Sequence, residues 1–140
     1  MVRQTPVVML VDDDVDFLDL NKHVLEARGY RVLCFTDPEE ALARMEVDKP
    51  RLVITDLMMQ SLGSGFSFSR QMKSDSRFRD IPVVIVTAIG SRRGFDFSPR
   101  TREELAVMRA DAYFEKPVHP ETLLEKIEEL LGRRAEEDST

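Results

Sequence analysis

Short apolar runs alternate with helix-length segments along this chain, and most of the runs stop at a charged or hydroxyl side chain. Val7-Val8-Met9-Leu10-Val11 stops at Asp12, Leu52-Val53-Ile54-Thr55 at Asp56, the run over 81–86 at Thr87, and the shorter Ala112-Tyr113-Phe114-Glu115 at Lys116. Runs of this length, rich in β-branched residues and bounded by turn signals, read as strands of a parallel sheet buried on both faces. Parallel neighbours need crossover connections, and the segments between the runs are long enough to supply them as helices. Open sheets of this kind keep their chemistry at the carboxyl ends of the strands. A lone acid at the end of a buried strand, Asp56, therefore needs explaining.

The connecting segments carry helix signals of their own. Phe17, Leu20, Val24, Leu25 and Ala27 recur at helical spacing over 16–28, and Gly29 supplies a stop. A second strand over 30–35 leads to Asp37-Pro38-Glu39-Glu40, which combines an N-cap, a proline at the first helical position and a capping-box acid, so a helix is expected through about Val47. A loop with Gly63 and Gly65 follows Asp56, then a helix over 66–74. Pro82 is tolerable only near the start of its strand. The stretch 89–100 is the least regular. Thr101-Arg102-Glu103-Glu104 offers another capping box for a helix to about Arg109, and the last helix starts at Pro120 with Leu123, Leu124, Ile127, Leu130 and Leu131 on one face and Gly132 as its stop. The expected architecture is α/β: a doubly wound, five-stranded parallel sheet with five helices, forming one domain over 1–132 with a polar tail over 133–140.

Composition narrows the function. The chain has 140 residues, enough for one domain that needs no staple. A single cysteine, Cys34, cannot form an internal disulfide, which suits a reducing compartment. Twenty basic against 26 acidic side chains give a net charge of -6, without the basic footprint of a nucleic-acid or anionic-membrane binder. The five apolar residues from Val7 to Val11 are too few for a signal-peptide core or a membrane span. The expectation is a cytoplasmic protein with neither a nucleic-acid nor a membrane partner.

In a doubly wound sheet the acids 12 to 14, Asp56, Thr87 and Lys116 converge on one crevice. Converging carboxylates repel unless a hard cation sits among them, and oxygen donors without His or Cys suit Mg²⁺, with Mn²⁺ as the alternative. A carboxylate beside such an ion can attack a phosphoryl group, while an ammonium and a hydroxyl receive the phosphoryl oxygens. Val11-Asp12-Asp13-Asp14, Asp56-Leu57-Met58-Met59, Thr87-Ala88 and Lys116-Pro117, in this order and on these elements, resemble the receiver domain of two-component response regulators over about residues 5 to 132.

The resemblance implies the flavodoxin-like strand order 2-1-3-4-5. It implies that Asp56 is phosphorylated by a sensor histidine kinase or histidine phosphotransfer protein, and that Asp12, Asp13, Asp56 and the Met58 backbone carbonyl hold Mg²⁺. Asp14 is left as a bystander. Thr87 and Tyr113 form a switch pair, Lys116 meets the phosphoryl group, and the bond to Pro117 is cis. The protein is then a regulatory phosphoacceptor rather than an enzyme. It is expected to act alone, as a monomer or a phosphorylation-dependent dimer, by presenting a switched surface to a downstream protein. Tyr113 can also be read as simple packing, and His23 and His119 as structural.

The chain departs from the family's pattern at Gln60, where a proline is usual, in the loop that follows, at Arg109, and in extra length within 90–99 that carries Arg92, Arg93, Phe95 and Phe97. That extra length reads either as a docking surface or as local packing. Met58 and Ile89 are apolar where water-orienting side chains favour rapid dephosphorylation, which implies a long-lived phosphoryl state. Two rival readings are a binding module that ignores phosphate and a nucleotide or flavin enzyme. The second lacks a glycine-rich phosphate loop after the first strand.

Overall fold

The computed structural model describes residues 6–56, 64–87 and 110–138. Within them the chain runs β1 (Val7–Val11), α1 (Val15–Ala27), β2 (Arg31–Phe35), α2 (Pro38–Val47), β3 (Leu52–Thr55), α3 (Ser64–Ser74), β4 (Val83–Thr87), β5 (Ala112–Glu115) and α4 (Pro120–Asp138). The strands form one sheet in the order β2-β1-β3-β4-β5, with every neighbouring pair parallel. Four helices stand among the described residues, rather than five. The helix expected over 101–109 lies outside them, as do Met58, Gln60 and its loop, Ile89 and the extra length over 90–99.

The alternation of each strand sorts its side chains into two cores. Val8 and Leu10 of β1, Leu52 and Ile54 of β3, and Val84 and Val86 of β4 meet α1 and α4 through Leu18, Leu25, Leu123 and Ile127. Met9, Val11, Val53, Val83 and Ile85 point the other way, onto Ala41 and Met45 of α2 and Phe68 and Met72 of α3. Burial on both faces is why the runs are continuously apolar. Each fully buried aliphatic side chain contributes roughly 1.5–3 kcal/mol.

Two helices differ from the sequence expectation. The inward stripe of α1 is Leu18, Asn21 and Leu25, whereas Leu20 is 52% exposed. Leu25 and Phe17 pack on the core as their spacing predicts, but Leu18 and Asn21 take the place of Leu20, with Asn21 hidden in the core by donating from Nδ2 to the Phe17 carbonyl at 2.9 Å. Such back-bonding satisfies a buried amide without an outside partner. Gly132 does not end α4, which continues to Asp138; a helical glycine costs about 1 kcal/mol relative to alanine but does not break the hydrogen-bond ladder. Gly29 does act as a stop, with φ at 92° where an L side chain would be strained.

The helix starts are set by acids. Asp14 caps α1 by accepting from Phe17 N at 3.2 Å, and Asp37 caps α2 by accepting from Glu39 N at 2.9 Å, with Pro38 at the first helical position. At the amino edge of the sheet, Lys73 donates to the Ile81 carbonyl at 2.6 Å and lies 3.6 Å from Asp111, which itself accepts from Val83 N. This ties α3 to the starts of β4 and β5, at the end of the sheet away from the acids.

Candidate functional site

Backbone bonds fix where the strand ends deliver their side chains. Asp12 N donates to the Phe35 carbonyl and Asp56 N to the Val11 carbonyl, so both acids continue the ladder one residue past their strands. Because Val11 is opposite Thr55, the next residues, Asp12 and Asp56, emerge side by side from the two central strands. Lys116 N donates to the Thr87 carbonyl at 2.8 Å, which seats the lysine just past β5 beside the end of β4. Its bond to Pro117 is cis.

The three carboxylates Asp12, Asp13 and Asp56 each offer an oxygen within 4.8 Å of the others. Asp12 and Asp56 are buried and Asp13 is exposed. Lys116 Nζ lies 2.8 Å from Asp12, 3.4 Å from Asp56 and 3.7 Å from Asp14. Asp12 also accepts from Asp14 N at 2.9 Å. Burial pushes the Asp12 carboxyl up to about 6; the Lys116 and Asp14 hydrogen bonds oppose this, and the Asp56 charge adds to it. Burial pulls the Lys116 ammonium down, but the Asp12 hydrogen bond and the charges of Asp12, Asp56 and Asp14 outweigh it, so its pKa is raised.

Thr87 is buried at the end of β4. Tyr113 is opposite Ile85 on β5 and packs with it in the core under α2 and α3. Residues two apart on a strand share a face, so Thr87 and Tyr113 lie on the same side of the sheet, one pleat repeat apart. The donor set of the acid cluster is all oxygen and densely anionic, with no His or Cys in it. That chemistry fits a hard divalent cation and disfavours a soft one.

The structure thus brings together Asp12, Asp13, Asp56, Lys116 and Thr87, with Tyr113 one repeat behind; Met58 lies outside the described residues. Two neighbours were missed. Asp14, read as a bystander, caps α1 and sits within 3.7 Å of Lys116. Phe17, read only as a core position, places its ring centroid 4.6 Å from Lys116 Nζ. The Asp14-x-x-Phe17 spacing signals the cap, but no local pattern pairs Phe17 with a lysine about a hundred residues later. His23 is exposed, and His119 caps the last helix by accepting from Glu121 N at Nδ1, 3.3 Å away.

With this geometry in view, residues 8–128 match the response regulator receiver domain family. The chain belongs to that family. It is the receiver domain of a response regulator in two-component signalling, a family of regulatory phosphoacceptors. It is 34% identical over 127 residues to the probable transcriptional regulator ycf27 of Cyanophora paradoxa, covering 90% of this chain and 48% of that protein. It is 32% identical over 132 residues to the DNA-binding dual master transcriptional regulator RpaA of Synechocystis, covering 91% of this chain and 50% of that protein. The chain therefore spans about half the length of these curated relatives. Among solved structures, the CheY-like response regulator receiver domain protein of Methanospirillum hungatei superposes with a TM-score of 0.78 at 28% identity, over 96% of this chain and 99% of that one.

These relatives correct one expectation. The acidic balance excluded a nucleic-acid partner, yet the matched region occurs in transcriptional regulators, one of them named as DNA-binding. Charge describes the surface of this chain alone, and it cannot exclude a nucleic-acid partner for a region that relatives carry as half of a longer regulator. Among the described residues, no helix is long and apolar enough to cross a membrane.

Proposed function

We propose that this receiver works as a phosphoaspartate switch in which Asp56 is the acceptor. The observation that carries the reading is the seating of one ammonium, Lys116, against two buried carboxylates, Asp12 at 2.8 Å and Asp56 at 3.4 Å, in a cluster that Asp13 completes. An Asp56 oxygen attacks the phosphorus of a phosphohistidine on a sensor kinase or histidine phosphotransfer protein. The phosphorus–nitrogen bond breaks, and the imidazole leaves with a proton. Asp12, Asp13, Asp56 and the Met58 carbonyl would hold Mg²⁺, which when bound screens the charge that builds on the phosphoryl oxygens.

Within the chain's own residues, Lys116 supplies a preorganised positive charge to one phosphoryl oxygen and the Thr87 hydroxyl a hydrogen bond to another. Thr87 must approach the phosphoryl group to do so. Tyr113 lies on the same sheet face and takes up the space that this approach leaves, which carries the change toward the outer surface. Acetyl phosphate tests the acceptor. With Mg²⁺ the wild-type protein gains one phosphoryl mass, and Asp56→Asn or chelation of the metal abolishes the gain. Labelling that survives in Asp56→Asn rejects the assignment.

A further inference from the structure

Phe17 plays no part in the chemistry above, yet its ring forms one wall around Lys116. The Nζ atom is 4.6 Å from the ring centroid, within the distance at which an ammonium is attracted to the face of an aromatic ring. The ring is anchored at three points. Its backbone N–H donates to Asp14 Oδ1 at 3.2 Å, its carbonyl accepts from the buried Asn21 amide at 2.9 Å, and its side chain packs on the core beneath α1.

One ammonium is thus surrounded by three carboxylates, from Asp12, Asp14 and Asp56, and one ring. These partners respond differently to ligands. A divalent cation would claim the Asp12 and Asp56 carboxylates, and conversion of Asp56 to an acyl phosphate changes the charge and direction of its oxygens. A neutral ring is altered by neither. We propose that Phe17 is a positioning residue for phosphoryl transfer: a cation–π seat that holds the Lys116 ammonium over the acid cluster while the carboxylates beside it are engaged elsewhere. The inference rests on Asp56 being the acceptor and Lys116 meeting the phosphoryl oxygens. A leucine at position 17 would fill much of the same space without the ring's negative face, so Lys116 would sample more orientations and meet the incoming phosphoryl group less often.

The test compares wild type, Phe17→Leu, Phe17→Tyr and a protein with a ring-trifluorinated phenylalanine at position 17, which keeps the shape of the ring but removes its electrostatic attraction. The second-order rate constant for labelling by acetyl phosphate is measured at saturating Mg²⁺. Phe17→Leu and the fluorinated protein should both be slower by about 3- to 10-fold, the size of a partly desolvated cation–π contact, while Phe17→Tyr stays within about twofold of wild type. A fluorinated protein that labels at the wild-type rate overturns the inference, whether or not Phe17→Leu is slow, because the ring would then act by packing alone. Failure of the wild type itself to be labelled would instead reject the acceptor reading on which the inference depends.

Discussion

Lys116 donates a 2.8 Å hydrogen bond to Asp12 across 104 residues of sequence. The lysine also faces Asp56 at 3.4 Å, so it neutralises the same carboxylates that a divalent cation would bind. Lys116→Met should therefore have two opposite effects. It leaves the buried Asp12 charge without its partner and lowers stability by about 1–3 kcal/mol, read by denaturant unfolding without metal. It also removes a competing cation and tightens Mg²⁺ binding by roughly tenfold, read by calorimetry. Weaker Mg²⁺ binding in this variant would contradict the competition.

Crowding of carboxylates predicts the reverse stability change at Asp56. Its charge helps to raise the pKa of Asp12, which means that the two acids repel in the folded state. Asp56→Asn preserves shape and removes that repulsion, so the metal-free variant should unfold at a higher temperature, by about 0.5–2 kcal/mol of added stability. Added Mg²⁺ should stabilise it far less than wild type. A lower midpoint without metal would count against electrostatic strain at the site.

Asp14 offers a structural control. Its carboxylate caps α1 at Phe17 N, and Asp14→Ala should cost about 1 kcal/mol in denaturant unfolding. Asp14→Ser retains a capping oxygen and should recover most of that loss. Equal destabilisation by both would show that the charge near Lys116, rather than the cap, is what matters there.

Asp75 gives a pH-dependent prediction far from the acids. Hydrogen bonds from the Arg77 side chain and backbone hold its carboxyl down to about 2. A depressed carboxylate contributes stability that is present above its ordinary pKa near 3.8 and is lost as pH falls from there toward 2. In Arg77→Ala, NMR titration should find Asp75 back toward its ordinary value, with a shallower loss of stability over that window. An unmoved titration would remove Arg77 as the cause.

Much of this architecture is legible in the sequence. β1 and β3 have the expected bounds because strands buried on both faces are continuously apolar, and the bounds of the edge strand β5 are set by the turn signals around its short run. The convergence of the acids and Lys116 is legible because parallel topology places all carboxyl ends of the strands on one edge, whatever their separation in sequence. The inward place of Asn21 in α1 is not legible because Asn21 is polar by type yet buried by virtue of a bond to its own helix. The extent of α4 is not legible because a glycine stops a helix only where it takes the left-handed conformation itself, and Gly132 stays helical. Phe17 was assigned to packing because its role depends on where Lys116 points, a tertiary fact that no local spacing encodes.

On this mechanism the phosphoryl group resides on Asp56 rather than on its acidic neighbours. After labelling with acetyl phosphate and Mg²⁺, borohydride reduces an acyl phosphate to an alcohol, marking the acceptor for peptide sequencing by mass spectrometry. Asp56 alone should be converted to homoserine. Conversion at Asp12 or Asp13, or none at Asp56, would contradict it.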